Sequence, residues 1–192
     1  MPTLLGIHGS VTRPGRLYQA LELALRSVED EGDSLSTSLL HLGGHRISFA
    51  DGRPSPDFSD ETEAVVERVM AADMYIIATP IFRASFTAAL KNLLDLVPVE
   101  GLMGKPCGLV GMGASDHHYL TVDTQLRPVL AWFGVHQVPG ATYLQSSHFQ
   151  DGKLSDPAAI AGLQSLAKAV VAMQRATSEN DAMVGPPPLA AG

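Results

Sequence analysis

Apolar positions along the chain recur in two rhythms. Short, nearly continuous apolar runs occupy residues 4–8, 74–79 and Pro106–Met112, the pattern of strands buried on both faces of a sheet. The run at 74–79, MYIIAT, is aromatic and β-branched and gives the strongest strand signal. Between these runs, apolar residues return every three or four positions, each set tracing one face of an amphipathic helix. The first set is Leu17, Ala20, Leu21, Ala24, Leu25 and Val28; the second is Val65, Val66, Val69 and Met70. Phe86, Ala89, Leu90, Leu93, Leu94 and Val97 form a third, and Tyr119, Val122, Leu126, Val129, Leu130 and Phe133 a fourth. Ile160, Leu163, Ala167, Val170 and Val171 complete the series. Two weaker strands are predicted at 35–42, where serine and threonine alternate as on a sheet edge, and at 137–144, with a break at Pro139 and Gly140.

Punctuation agrees with this division. Gly32 is a stop for the first helix, and residues 43–57 carry glycine, proline and serine without periodicity, as a surface loop does. Asp60 with Glu63 opens the second helix, and Asp156 followed by Pro157 supplies a cap and a first helical residue for the last. Pro128 lies inside the fourth helical face and cannot donate to the carbonyl of Thr124, which predicts a kink. Leu96 widens the third stripe: either that helix touches a neighbouring subunit, or Leu96 lies under a loop. Residues 1–175 read as one domain, and the polar, proline-ending stretch 176–192 as a disordered tail.

Strands alternating with helices define an α/β fold, here a doubly wound five-stranded parallel sheet of order 2-1-3-4-5 with helices on both faces. That order sets the loops after strands one, three and four side by side, where such sheets bind ligands. The first loop contains Gly9, Ser10, Thr12, Arg13, Gly15 and Arg16. Unpaired amides at the helix start, two hydroxyls and two guanidinium groups suit an anion; the plain alternative is a strand-to-helix turn with solvated arginines. The loop after strand three runs through Pro80, Ile81, Phe82 and Arg83, and amides following Pro80 are placed to face a planar heterocycle. The loop after strand four offers the small residues Gly113, Ala114 and Ser115, permitting close backbone approach. One loop for a phosphate and two for a flat ring match the shape of flavin mononucleotide (FMN).

Composition narrows the partners. Twenty acidic against 13 basic residues give a net charge of -7 with no basic run, which argues against nucleic acid. No apolar run approaches the ~20 residues of a membrane span. A single cysteine, Cys107, fits a reducing cytoplasm and reads as a buried, inert thiol. The opening residues lack a basic n-region and enter a strand at once, so no signal peptide is expected.

Specific motifs point further. The first loop, the run from Ala72 and Asp73 through TPIFRASFTAALKNLLDLVP, the GKP at 104–106, VDTQLRPVL at 122–130 and the turn at 151–154 resemble NADPH-dependent FMN reductases of the flavodoxin-like superfamily. The likeness is nearest to reductases that feed reduced FMN to two-component sulfonate monooxygenases. The resemblance implies FMN and NADPH or NADH as redox ligands. It assigns the FMN phosphate to Ser10, Arg13 and Arg16 with the surrounding amides, the isoalloxazine to Pro80, Ile81, Phe82 and Arg83, and its pyrimidine side to Gly113, Ala114 and Ser115. The family usually has arginine at Thr12, serine at Gly15, tyrosine at Phe82 and glycine at Ala114, so phosphate contacts shift towards Arg13 and Arg16. Hydride transfer between nicotinamide and flavin needs no side-chain acid or base, so no catalytic residue is assigned. Alternatives are an FMN-containing quinone or azo reductase, and a flavodoxin-like electron carrier. A partner monooxygenase and a homodimer or homotetramer, built on the third and fourth helices, complete the expectation.

Other chemically tempting residues carry less. His117 and His118 are adjacent and lack a spaced third ligand, so no metal site is assigned. His8 ends strand one and is expected to be hydrogen-bonded locally. Asp95 and Asp123 read as surface or subunit contacts, and Arg127 as a possible ion-pair partner across a dimer.

Overall fold

A computed structural model describes residues 1–29, 35–178, 183, 185 and 186. Parallel strands β1 (Thr3–His8), β2 (Ser36–His41), β3 (Met74–Pro80) and β4 (Pro106–Met112) take the order β2-β1-β3-β4. Beyond β4 the expected fifth strand is split into β5 (His136–Gln137) and β6 (Thr142–Leu144), both parallel to β4. The break falls at Pro139 and Gly140, as their backbone chemistry predicts. Sheet order 2-1-3-4-5 therefore holds, with β2 at an edge.

Side-chain alternation along the strands assigns the helices to faces. Leu5, Ile7, Tyr75, Ile77 and Leu109 pack with α2 (Thr62–Met70), α3 (Ala88–Leu96) and α4 (Arg127–Trp132). Leu4, Met74, Ile76 and Val110 meet α1 (Arg16–Glu29) and α5 (Pro157–Thr177) on the other side. α5 seats closely on β4 because Gly108 has no side chain: a Cβ there would stand 2.9 Å from Val170 Cγ2. A short hairpin, β7 (Phe149–Gln150) with β8 (Lys153–Leu154), turns at Asp151 and Gly152 and lies beside α1.

Several expectations change in detail. α3 starts at Ala88, because the Thr87 side chain accepts the Leu90 N–H as an N-cap, so Phe86 packs from outside the helix. Leu96 is buried within its own chain, and α3 turns Ala88, Lys91 and Asp95 outwards. Met70 and Tyr119 are exposed instead of facing the core. Asp60 stands one residue before the N-cap position of α2, Glu61, and its carboxylate accepts the Thr62 N–H at 3.0 Å.

The fourth helix answers Pro128 by changing pitch. Residues Val122–Leu126 are π-helical, the Arg127 N–H reaching back to the Val122 carbonyl, and α4 then restarts with Pro128 in its first turn. Arg127 is engaged inside its own subunit, where it pairs with Asp123 and donates to the carbonyls of Val138 and Pro139 in the gap between β5 and β6. α5 extends to Thr177, two residues past the expected domain end, with Asp156 accepting the Ala159 N–H as its cap. Gly32 and most of the expected tail lie outside the described residues. No helix among the described residues is long and apolar enough to cross a membrane.

Candidate functional site

The carboxyl ends of β1, β3 and β4 bring the three predicted loops together through backbone bonds. Gly9 donates its N–H to the Ala78 carbonyl at 2.7 Å, Ile81 to that of Met112 at 2.8 Å, and Gly113 to that of Leu144 at 3.0 Å. Gly43, just past β2, donates to the Ser10 carbonyl at 3.1 Å. Thr87 adds a side-chain latch, its buried hydroxyl donating to the Gly9 carbonyl while it caps α3. Thr79 accepts the Thr87 N–H at 3.3 Å and donates to the Pro80 carbonyl.

At the switch point lies a cavity of about 220 Å³ lined by His8, Ser10, Thr12, Arg13, Gly15, Arg16, Leu17, Pro80 and Met112. Of the first loop, Ser10, Thr12, Arg13, Gly15 and Arg16 border it, with Pro80 from β3. Ser10 is buried; its hydroxyl shares a 2.9 Å hydrogen bond with that of Thr12 and accepts the Thr12 N–H at 3.2 Å. Helix α1 begins at Arg16, with Gln19 N–H donating to the Gly15 carbonyl. The amides of its first turn thus lack intrahelical acceptors and add positive potential at the cavity. No carboxylate stands among the lining residues, so the donor set of two guanidinium groups and two hydroxyls fits a phosphate. Arg16 also lies over the Phe149 ring, 5.9 Å from its centroid, which links the hairpin to the same wall.

The loop after β3 is built differently. Phe82 and Ser85 exchange backbone bonds of 2.9 and 3.1 Å across a two-residue turn, with Arg83 at φ 53° and Ala84 at φ 61°. Both are left-handed, as in a type I′ turn, a conformation costing non-glycine residues about 1–2 kcal/mol each. The amides of Ile81 and Phe82 are consumed by Met112 and Ser85, contrary to the expectation that they face a ligand; those of Arg83 and Ala84 remain outside this ladder. The Ile81 side chain is buried in the core beneath the turn and does not line the cavity. Phe82, Arg83 and Ala84 are exposed.

The third loop is held from β6. Tyr143 donates its hydroxyl to the Ser115 carbonyl at 2.7 Å, and Gln145 donates to Asp116. Burial, with the Asp116 charge second, raises the Tyr143 phenol and keeps it a donor. Gly113 is buried against this phenol, and a Cβ there would lie 1.9 Å from Tyr143 Oη. Ala114 is exposed and Ser115 half-buried, its hydroxyl 3.2 Å from His117 Nδ1.

His8, Leu17 and Met112 belong to the cavity, though sequence reasoning did not assign them to a site. His8 had a usable signal: it shares strand parity with Leu4 and Gly6 and so faces α1, where the loop returns. Its hydrogen bond is not the local one expected but goes to His41, across to β2, at 2.8 Å. Cys107 is fully buried, and burial pushes its thiol up to about 12. Asp95 pairs with Lys91 at 2.5 Å on the surface of α3, and no group of potential metal ligands occurs among the described residues.

A flavodoxin-like sheet with a cationic cavity at its switch point places anion-binding groups where such folds take ligands. The sequence profile of the NADPH-dependent FMN reductases matches residues 2–150, and the chain belongs to that family. Its redox ligands are FMN and NAD(P)H, and it is an oxidoreductase. An NAD(P)H-dependent FAD/FMN reductase of Geobacillus thermodenitrificans is 36% identical over 173 residues, covering 88% of this chain and 92% of the relative. The NADH-dependent FMN reductase SfnF of Pseudomonas putida is 27% identical, covering 79% and 82%. Among solved structures, the apo form of the NADH:FMN oxidoreductase EmoB superposes with a TM-score of 0.73 at 26% identity, covering 100% of both chains.

Proposed function

We propose that this reductase binds FMN transiently, reduces it with NAD(P)H and releases it to a partner monooxygenase. The supporting observation is the cationic cavity at the carboxyl ends of β1, β3 and β4, lined by Ser10, Thr12, Arg13 and Arg16 and measuring about 220 Å³. It accommodates the phosphate end, leaving the ring on the exposed surface formed by Phe82, Arg83 and Ala114. Ser10, Thr12, Arg13, Gly15 and Arg16 hold the phosphate. Pro80, Phe82 and Arg83 border the ring, Ile81 supports it from below, and Gly113, Ala114 and Ser115 lie along its pyrimidine side. Bound flavin supplies an acceptor for the nicotinamide hydride; the chain positions the two rings and requires no acid or base of its own.

The alternative is a quinone or azo reductase, which needs firmly held FMN. Tyr119, Leu120 and Trp132 are large and exposed, which supports a homodimer or homotetramer built through the segment after β4. The lone, buried cysteine supports a cytoplasmic setting. Purified protein is expected to lose its yellow colour on gel filtration and to oxidise NADPH or NADH when free FMN is added. Inertness with both nicotinamides and FMN would remove the reading. Retained colour, with quinones preferred to free flavin, would establish the alternative. A monomer in sedimentation at micromolar concentration would remove the oligomer.

A further inference from the structure

His8 lines the phosphate cavity, yet neither the loop motif nor the hydride step accounts for it. Its Nδ1 lies 2.8 Å from Nδ1 of His41, its register partner on β2. Tyr18, in the first turn of α1, sets its ring edge-on to both, with centroids 5.6 and 5.9 Å away. The cluster therefore fills the corner between the ends of β1 and β2 and the start of α1. It also abuts the loop itself. The point where a Gly43 Cβ would stand is 2.8 Å from His41 Nε2 and 2.7 Å from the Val11 carbonyl oxygen.

Two Nδ1 atoms at this separation share one proton, so one imidazole carries Nδ1–H and the other presents a bare nitrogen. A proton added at Nε2 of the donor ring makes the pair a monocation and leaves that bond intact. A second proton would occupy the acceptor nitrogen and break it. The pair thus has two accessible charges, zero and plus one. In the protein alone the surroundings favour zero. Burial, then His41, lowers His8 to about 4, while burial and then His45 lower His41. The neighbouring charges are Arg13 and Arg16 at the cavity and His45 beyond His41. Glu61 is held by His45 Nδ1 and the Arg46 N–H. From α1 comes the neutral Tyr18, and β3 contributes only Ala78 opposite His8. A dianion entering the cavity offsets the charge of the two arginines and favours the protonated form of the pair.

We propose that the His8–His41 pair is a proton-accepting part of the anion site, taking one proton from solvent as a phosphate monoester dianion binds and returning it on release. This rests on reading the 9–16 loop as the FMN phosphate site. A group whose pKa rises on binding strengthens that binding as pH falls. The mononucleotide is therefore held more firmly at mildly acidic pH, in the range where its phosphate keeps its second charge, down to about pH 6. An uncharged flavin lacking the phosphate gains nothing.

Fluorescence titration with FMN and with riboflavin in phosphate-free buffers, between about pH 8 and pH 6, tests this. Calorimetry at about pH 7 in buffers of different ionisation heat counts the protons. Wild type is expected to bind FMN about tenfold more tightly at the acidic end and to take up about half a proton more per FMN than His8→Gln. Riboflavin should show no such trend. His41→Gln, at a less buried position, is expected to abolish the same pH dependence and provides the answer if His8→Gln fails to fold. Parallel FMN profiles in wild type and the folded variants, or equal proton uptake, would overturn the inference alone. Failure to bind FMN at any pH would remove the flavin reading and this inference with it.

Discussion

The two ends of the site are made by opposite means. At the proposed phosphate end the backbone of the first loop is tied into the fold: Gly9 bonds to β3, the Ser10 carbonyl accepts from Gly43, and Thr87 latches the Gly9 carbonyl. Its side-chain hydroxyls are organised by a buried serine, and the arginines reach in from an exposed rim. At the ring end, Phe82 and Arg83 sit on a left-handed turn whose outward amides belong to exposed residues. The first arrangement supplies charge from a rigid base, the second presents surface at a conformational cost. Affinity should therefore come from the phosphate end and ring placement from the other.

The sharpest way to break that comparison is to remove its charge. Arg13→Ala with Arg16→Ala is expected to weaken FMN by about 100-fold, since charge-assisted bonds to phosphate are the strong ones. Riboflavin should change by no more than about twofold, because it carries no phosphate. Parallel fluorescence titrations measure both. Equal losses for the two flavins would place the phosphate elsewhere.

A smaller and unselective effect is expected at Gly113. Its Cβ would collide with Tyr143 Oη at 1.9 Å, forcing the phenol off the Ser115 carbonyl. Gly113→Ala should weaken FMN and riboflavin alike, by about tenfold, through displacement of the third loop. Combining it with Tyr143→Phe removes the colliding oxygen and should recover part of the loss. If the double variant binds no better than Gly113→Ala, the collision with the phenol oxygen is not what displaces the loop.

The contrast between the ends also explains what could be read from the chain. Strand order, helix faces and the first loop were legible because they depend on short-range periodicity and on residues that bring their own chemistry, such as Ser10, Arg13 and Arg16. Pro139 and Gly140 announced the split strand for the same reason. The ring side was not fully legible, because the fate of an amide depends on its partner. Nothing local to Pro80 reveals that Met112 and Ser85 consume the amides of Ile81 and Phe82. Ile81 could face a ligand or the core with equal sequence support. Pro128 signalled a helix defect, but the π-helical form depends on how Arg127 and Val122 meet. His8 was passed over because its role needs His41, brought alongside it only by parallel pairing.

The Thr87 latch joins the two ends, so its loss should appear first in stability. Thr87→Val keeps the shape but deletes the bond to the Gly9 carbonyl and the cap on Leu90 N–H. The expected cost is about 1–2 kcal/mol in denaturant unfolding. FMN should weaken more than riboflavin, because the first loop loses its anchor. Unchanged stability would mean that backbone bonds alone secure the loop.

The finest test separates conformational cost from contact at the ring end. Ala84 has φ 61° and is exposed, so Ala84→Gly removes a left-handed penalty without deleting a buried group. Glycine also loses more freedom on folding, which offsets part of the gain. The net expectation is about 0.5–1 kcal/mol of added stability. Binding should move the other way, with both flavins weakened about twofold, because the turn that presents Phe82 and Arg83 becomes less restricted. The opposed signs are the discriminating result: tighter flavin binding in Ala84→Gly would show that the turn hinders the ring, whereas reduced stability would show that its left-handed geometry carries no penalty to relieve.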